Sequence, residues 1–207
     1  MDKKWIFSLG CLGVLVVLGI GIVLWGVGIY NGLVTRDQAS NAQWSQVENV
    51  YQRRADLIPN LVSTVAGAAN FEKSTLTEIT EARAQVGQVK LNVDGKTPDS
   101  TSFAQFQKAQ DNLSSALSRL MVVVERYPDL KSNQGFLGLQ VQLEGTENRI
   151  SVERGRFNEV VQEYNVAARS FPAVLIAGIL GFHPKPYFQA TAGAEKPPEV
   201  KFDFQKK

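Results

Sequence analysis

Histidine and cysteine are almost missing from this chain, one of each in 207 residues, and that scarcity removes most site chemistry at the outset. The lone Cys11 can close no disulfide within the chain and gives no reading of the redox compartment. The lone His183, which precedes a proline, cannot supply the paired Glu-x-x-His ligands of a di-iron bundle, a zinc site or a histidine-based nucleophile triad. No G-x-x-x-x-G-K-[ST] phosphate loop is present. Strong charge of one sign is missing too: a net +2 is too mild to imply nucleic acid, and no aromatic-basic platform accompanies it. Carboxylate pairs such as Glu144 with Glu147 describe a solvated helix face far more often than an acid-base pair. The expectation is a chain without catalytic residues, metal ligands or cofactor.

Charge is wholly absent from Trp5 to Tyr30, WIFSLGCLGVLVVLGIGIVLWGVGIY. At about 1.5 Å per residue a helix of roughly 26 residues reaches about 39 Å, enough to cross a hydrocarbon core of about 30 Å with some tilt. A cleaved signal peptide would carry a shorter apolar core and a small-x-small site, whereas the first alanine here is Ala39. Lipoprotein processing fails as well, because Cys11 precedes most of the apolar run. Trp5 at one end, with Trp25 and Tyr30 at the other, sit where amphipathic rings anchor a helix at the two interfaces. Lys3 and Lys4 on the short side favour an N-terminus in the cytoplasm and the remainder outside, by a margin of one or two charges.

Small residues cluster on one face of this segment. Gly19 and Gly26, like Gly21 and Gly28, are seven apart, and Gly28 with Gly32 makes a G-x-x-x-G. Such faces let helix backbones approach closely in lipid, which points to self-association into a homo-oligomer. The alternative is that glycine is simply common in membrane helices.

After the anchor the chain reads as long helices. Trp44, Tyr51, Ile58, Val65, Ile79 and Val86 keep one seven-residue repeat, interrupted at Glu72, with Val47, Leu61, Ala68, Ala82 and Val89 on the companion positions. Pro59 removes one backbone donor, so a kink is expected near Ala55 to Ile58. Gly87 to Thr101, with Asp94-Gly95 and Pro98-Asp99, reads as the first clear loop, and Ser102 with Gln105 as a capping box. Phe106, Leu113, Leu120 and Tyr127 then repeat at seven, as do Phe103, Leu117 and Val124 with Gln110 in the missing step, until Pro128 ends the helix. Asn133 is a plausible cap for a third helix in which Phe136, Leu143, Ile150, Phe157, Tyr164 and Phe171 hold the register, and Pro172 ends it.

The expected fold is therefore all-α: an N-terminal transmembrane helix, an antiparallel bundle of three to four long helices, and a disordered C-terminal tail. The boundaries are a flank at 1–4, the membrane helix at 5–30, the bundle at 31–182 and a proline-containing tail at 183–207. Ala173 to Phe182 is apolar but too short to cross a bilayer. It either folds back over the bundle end or dips into a membrane interface. Val200 to Lys207 alternates apolar and polar residues, which fits a disordered end or an addition to a partner's sheet edge.

Four stretches carry a family resemblance. Tyr30-Asn31-Gly32-Leu33-Val34, the run Arg53-Arg54-Ala55-Asp56-Leu57-Ile58-Pro59-Asn60-Leu61-Val62, then Glu125-Arg126-Tyr127-Pro128-Asp129-Leu130-Lys131, and finally Phe157-Asn158, Tyr164-Asn165 and Phe171-Pro172 resemble the LemA family, in order and spacing from the anchor to about Phe188. The resemblance implies a bacterial single-pass protein of the cytoplasmic membrane, with a long-helix bundle and no established biochemical activity. It also implies relatives associated with forming magnetosome membranes, and family genes near those of a membrane zinc protease or a TPM-domain protein.

Arg54, within the second motif, falls on a core-like position between Val47 and Leu61. An unpaired charge there would cost several kcal/mol, so a carboxylate partner is expected from Glu125, Glu144, Glu147 or Glu153, forming a partly buried polar layer that fixes helix register. The alternative is that the kink at Pro59 rotates Arg54 to solvent. Two functions follow. One is a membrane scaffold whose glycine-faced anchors associate, with membrane lipid and further copies of the chain as partners. The other is an adaptor that presents its bundle or tail to a membrane protease or another envelope protein.

Overall fold

The computed structural model describes residues 3–67, 71–90 and 97–189, with side chains at 12–67, 71–89 and 97–189. Its longest element is α1, Lys3–Ala66, a single helix of 64 residues that runs through the apolar segment and on into the bundle. Trp44, Val47, Tyr51, Ile58, Leu61 and Val65 are buried along it. The helix passes Pro59 without a break, because the acceptor that proline strands is satisfied from outside. The carbonyl of Ala55, four residues back, receives the Nε–H of Arg83 at 3.1 Å.

The turn that divides the first heptad run into two helices lies not at Pro59 but after Ala66, and α2, Lys73–Lys90, leads back down. Phe71 is buried in that turn, its ring 4.9 Å from that of Tyr127. Ile79, Ala82 and Val86 are buried on α2, so the repeat survives the reversal because both helices face one core. Ala68 lies outside the described residues, and α2 extends past Gly87, where a loop was expected to start.

Helix α3, Ser100–Val124, opens one turn earlier than the Ser102–Gln105 capping box would place it. Asp99 is the cap, its carboxylate accepting from the amides of Thr101 at 2.8 Å and Ser102 at 3.1 Å and from the Ser102 hydroxyl at 2.8 Å. A charged acceptor meets the orphan amides and the positive helix end together, which the Ser102 hydroxyl cannot do. Those hydrogen bonds hold the Asp99 carboxyl below its ordinary pKa. Pro128 does not end α3, which stops at Val124; it opens the short α4, Pro128–Lys131, at a position where a missing amide hydrogen is harmless. Asn133 caps α5, Gln134–Arg169, accepting from the Phe136 amide at 3.1 Å.

The stripe of α5 buries Phe136, Leu143, Ile150, Phe157 and Tyr164, but Phe171, next in register, lies beyond the helix end and is 81% exposed. After α6, Val174–Ala177, Gly181 takes φ +82°. The Phe182 amide then reaches the Ala177 carbonyl at 2.9 Å and the Gly181 amide reaches Gly178 at 3.3 Å, closing the turn as a Schellman motif.

The long helices run up, down, up and down, with α1 paired to α5 and α2 to α3. Contacts between Glu72 and Arg126, Glu78 and Arg119, and Gln85 and Asn112 keep α2 and α3 antiparallel. Among the described residues the core has three storeys. An aliphatic one around Leu61, Ile79, Leu113 and Leu143 fills the end far from the apolar segment, an aromatic one holds Trp44, Phe103, Phe106, Phe157 and Phe188, and a small one joins Leu33, Ala168 and Ala177.

The presence of Phe188 in that aromatic storey corrects the expected tail. Residues 183–189 form neither helix nor strand and pack against the bundle, with Phe188 buried among Trp44, Phe103 and Phe157. Residues 190–207, including Val200 to Lys207, lie outside the described residues.

Candidate functional site

The apolar part of α1 is long and apolar enough to cross a membrane. From Leu12 to Leu24 its large side chains are exposed. A Cβ added at Gly19, Gly21, Gly26 or Gly28 would meet nothing within 4 Å, so this face is open to a neighbour from outside the chain. Gly32 differs, since a Cβ there would touch Arg36 Nη1 at 3.5 Å. Trp25 is exposed, whereas Tyr30 meets Phe182 edge-on at 5.8 Å. The Trp5 side chain lies outside the described ones.

Higher on α1, Arg54 is 1% exposed. Its Nη1 donates to Glu147 at 2.7 Å and to Ser114 at 2.8 Å, and its Nη2 donates to the carbonyl of Gln110 at 3.2 Å and to the Gln110 side-chain oxygen. Gln110, the step at which the α3 repeat turned polar, is thus the residue that receives the buried guanidinium. Three helices meet at this layer, with α5 supplying the carboxylate. Glu125 is not brought to it and pairs instead with Lys131 at 2.6 Å.

A second guanidinium lies alongside. Arg154 donates its Nε–H to the Tyr51 hydroxyl at 2.6 Å and approaches Asp111 at 3.6 Å. The Tyr51 ring has Arg54 at 5.1 Å and Arg154 at 5.6 Å from its centroid. Burial raises the Tyr51 pKa, against the opposing pull of Arg154 and Arg54. A cleft of about 770 Å³ opens over this layer between α3 and α5, lined among others by Arg54, Ser114, Ser118, Arg119 and Arg154. Its carboxylates, Asp111 and Glu147, already face its two inner guanidiniums, so the floor is largely self-neutralised. Among the described residues no group of three His, Cys, Asp or Glu side chains is placed to hold a metal ion.

The third constellation is the strap formed by residues 183–189. Asn165 donates to the Lys185 carbonyl at 2.9 Å and accepts from its amide at 2.8 Å. Asn158 does the same for Phe188, at 3.0 and 2.9 Å. Seven residues of helix advance about 10.5 Å, and three residues of extended chain advance about 10 Å, so two asparagines one heptad apart match every third residue of the strap. Tyr164 adds a hydrogen bond to the His183 carbonyl at 3.0 Å. The Lys185 ammonium reaches Asp37 at 2.8 Å, Asn41 at 3.1 Å and the Ser40 hydroxyl. Burial lowers its pKa, with Asp37 opposing the shift.

Sequence reasoning missed Lys185, Asp37 and the asparagine ladder. The available signal was the repetition of an aromatic followed by asparagine, Phe157-Asn158 and Tyr164-Asn165, at an interval of one heptad.

Comparison with known proteins places these features in a lineage. The model of the LemA family matches residues 43–202. The chain is similar to the magnetosome protein MamQ of Magnetospirillum gryphiswaldense, 28% identical over 187 residues that cover 81% of this chain and 67% of that protein. It has the same identity and coverage with the magnetosome protein MamQ 2 of Paramagnetospirillum magneticum. Similarity to the protein LemA of Metamycoplasma hominis is 27% over 178 residues, covering 84% of this chain and 76% of that protein.

Proposed function

This chain belongs to the LemA family, and on that premise we propose that it is a non-enzymatic membrane scaffold, anchored by α1 in the bacterial cytoplasmic membrane and assembling with copies of itself. In this reading Lys3 and Lys4 stay in the cytoplasm and the bundle stands outside. The observation that carries the reading is the continuity of α1. One helix of 64 residues passes from the apolar segment to the turn farthest from it, about 96 Å at the ordinary helical rise. A force or a neighbour acting on either end is therefore felt at the other.

The open glycine face supports the same reading, since close helix approach in lipid rests on small residues. Relatives named as magnetosome proteins are in keeping with a role at a membrane. The mass of the detergent-extracted protein tests it: a discrete oligomer that Gly21→Leu with Gly28→Leu dissociates is the expected result. A monomer before and after those substitutions would overturn the scaffold and leave an adaptor for a membrane protease or another envelope protein.

A further inference from the structure

Below the bundle, the chain between α5 and the strap carries no charge from Ser170 to Phe182, SFPAVLIAGILGF. Ala177 is buried, but several of the large apolar side chains are not. Phe171 is 81% exposed, Leu175 63% and Ile179 87%. These three are spaced by four and are joined by the exposed Val174 and Leu180. Elsewhere on the bundle the exposed large apolar residues are scattered, as Val122 and Val152 are, with Leu137 and Val141 as one pair a turn apart on α5, which is ordinary for a soluble surface.

The height of this patch is fixed by its contacts. Ala177 is buried with Leu33 and Ala168, while Ile29 and Phe182 pack against the same small core. The Phe182 ring meets that of Tyr30. Those α1 residues are the last of its apolar run, which ends at Val34 before Arg36 and Asp37. The patch is thus continuous with the segment able to cross a membrane, at the level where that segment leaves the hydrocarbon. Arg169, exposed, and His183 flank it, in the position of head-group ligands.

We propose that residues 171–182 form a foot that inserts Phe171, Leu175 and Ile179 into the interfacial layer of the leaflet from which α1 emerges. The occupant of the patch is lipid. At about 5–10 Å an interfacial insertion needs no more length than this segment has. Two points of attachment, α1 and the foot, fix the tilt of the bundle on the membrane, which one helix alone leaves free. The inference rests on the reading of α1 as a membrane anchor.

The test is spin labelling of the full-length protein in vesicles of phosphatidylethanolamine and phosphatidylglycerol, on a Cys11→Ser background. Single cysteines replace Val17 in the anchor, Ile179 in the foot and Val122 near the far end. Collision with oxygen, which partitions into lipid, is compared with collision with a water-soluble nickel chelate. An oxygen-to-nickel ratio at Ile179→Cys several-fold above that at Val122→Cys, and approaching that at Val17→Cys, is expected. Equal ratios at Ile179→Cys and Val122→Cys, with Val17→Cys in lipid, overturn the foot alone, whereas an aqueous Val17→Cys overturns the anchor. Phe171→Cys gives a second reading of the same patch should Ile179→Cys disturb the turn, and a water-exposed label at that site would overturn the foot equally.

Discussion

The Nε–H of Arg83 on α2 meets the carbonyl of Ala55 on α1 at 3.1 Å, and that carbonyl is the one that Pro59 leaves without its helical donor. A side chain from the neighbouring helix thus stands in for a backbone amide. The two residues should be energetically coupled. Arg83→Met is expected to lower the unfolding free energy by about 1 kcal/mol, and Pro59→Ala, which restores the amide, to raise it. In the Pro59→Ala background the Arg83 substitution should cost almost nothing, because Ala55 then has its own donor. A double-mutant cycle by urea unfolding in detergent checks this, and additive effects would show that the contact carries no coupling.

Arg54 and Glu147 form the centre of the polar layer, one side chain almost wholly buried and the other 44% exposed. Arg54→Met should cost about 2 kcal/mol or more, since Gln110 and Ser114 lose the donor around which they are arranged. Glu147→Gln should cost less, because a half-exposed carboxylate is already partly solvated and the amide oxygen still accepts. Thermal unfolding followed by circular dichroism separates the two. An unchanged melting temperature for Arg54→Met would mean that the layer does not hold the helices in register.

How much of this was readable beforehand divides by periodicity. Trp44, Ile58, Leu113, Phe136 and Phe157 repeat at seven and all are buried, since a heptad records which face of a helix meets its neighbours. Arg54 in a core-like position pointed to a carboxylate partner, whereas Gln110 stood out only as the polar step of the α3 stripe, and nothing in its spacing tied it to Arg54. Turn positions were less legible. Pro59 marked no boundary because a distant arginine repairs its defect, and Phe171 kept the α5 repeat past the last helical residue. The strap left no periodic trace at all. His183 to Gln189 is held through the backbone groups of Lys185 and Phe188 and through those two side chains, and two anchors make no repeat; the rest of the information sits in Asn158 and Asn165 on another element.

Those asparagines lead to a third expectation. Asn165→Ala removes both hydrogen bonds to Lys185, and Asn158→Ala both bonds to Phe188. Each should weaken strap docking by about 1–3 kcal/mol. Hydrogen exchange at the Lys185 and Phe188 amides should then accelerate while exchange in the aliphatic storey around Leu61 and Leu113 stays slow. Phe188→Ala should be more severe, about 3–5 kcal/mol, since it empties a site contacted by Trp44, Phe103 and Phe157. Uniform acceleration across the bundle in the asparagine variants would show that the strap unfolds only with everything else.

The alkaline limit of stability depends on the same region. Burial, with the nearby negative charge of Asp37 as the smaller cause, pushes the Tyr164 hydroxyl up to about 12, while in the unfolded chain it ionises near 10. Between those values the unfolded chain has lost a proton that the folded one keeps, so folding binds the proton and stability falls as pH rises. The contribution is complete below about pH 10 and is lost on passing through about 12. Ionisation would also remove the hydrogen that Tyr164 donates to the His183 carbonyl. Lys185 acts in the opposite sense: its lowered pKa means that the unfolded chain holds the proton longer, so its share of stability rises across the window below its ordinary value. Tyr51, raised by burial, adds to the fall. Tyr164→Phe should therefore flatten the alkaline decline without abolishing it, and should remove a step near pH 12 from the tyrosinate absorbance titration. A decline as steep in the variant as in the parent would show that Tyr164 takes no part in the alkaline sensitivity.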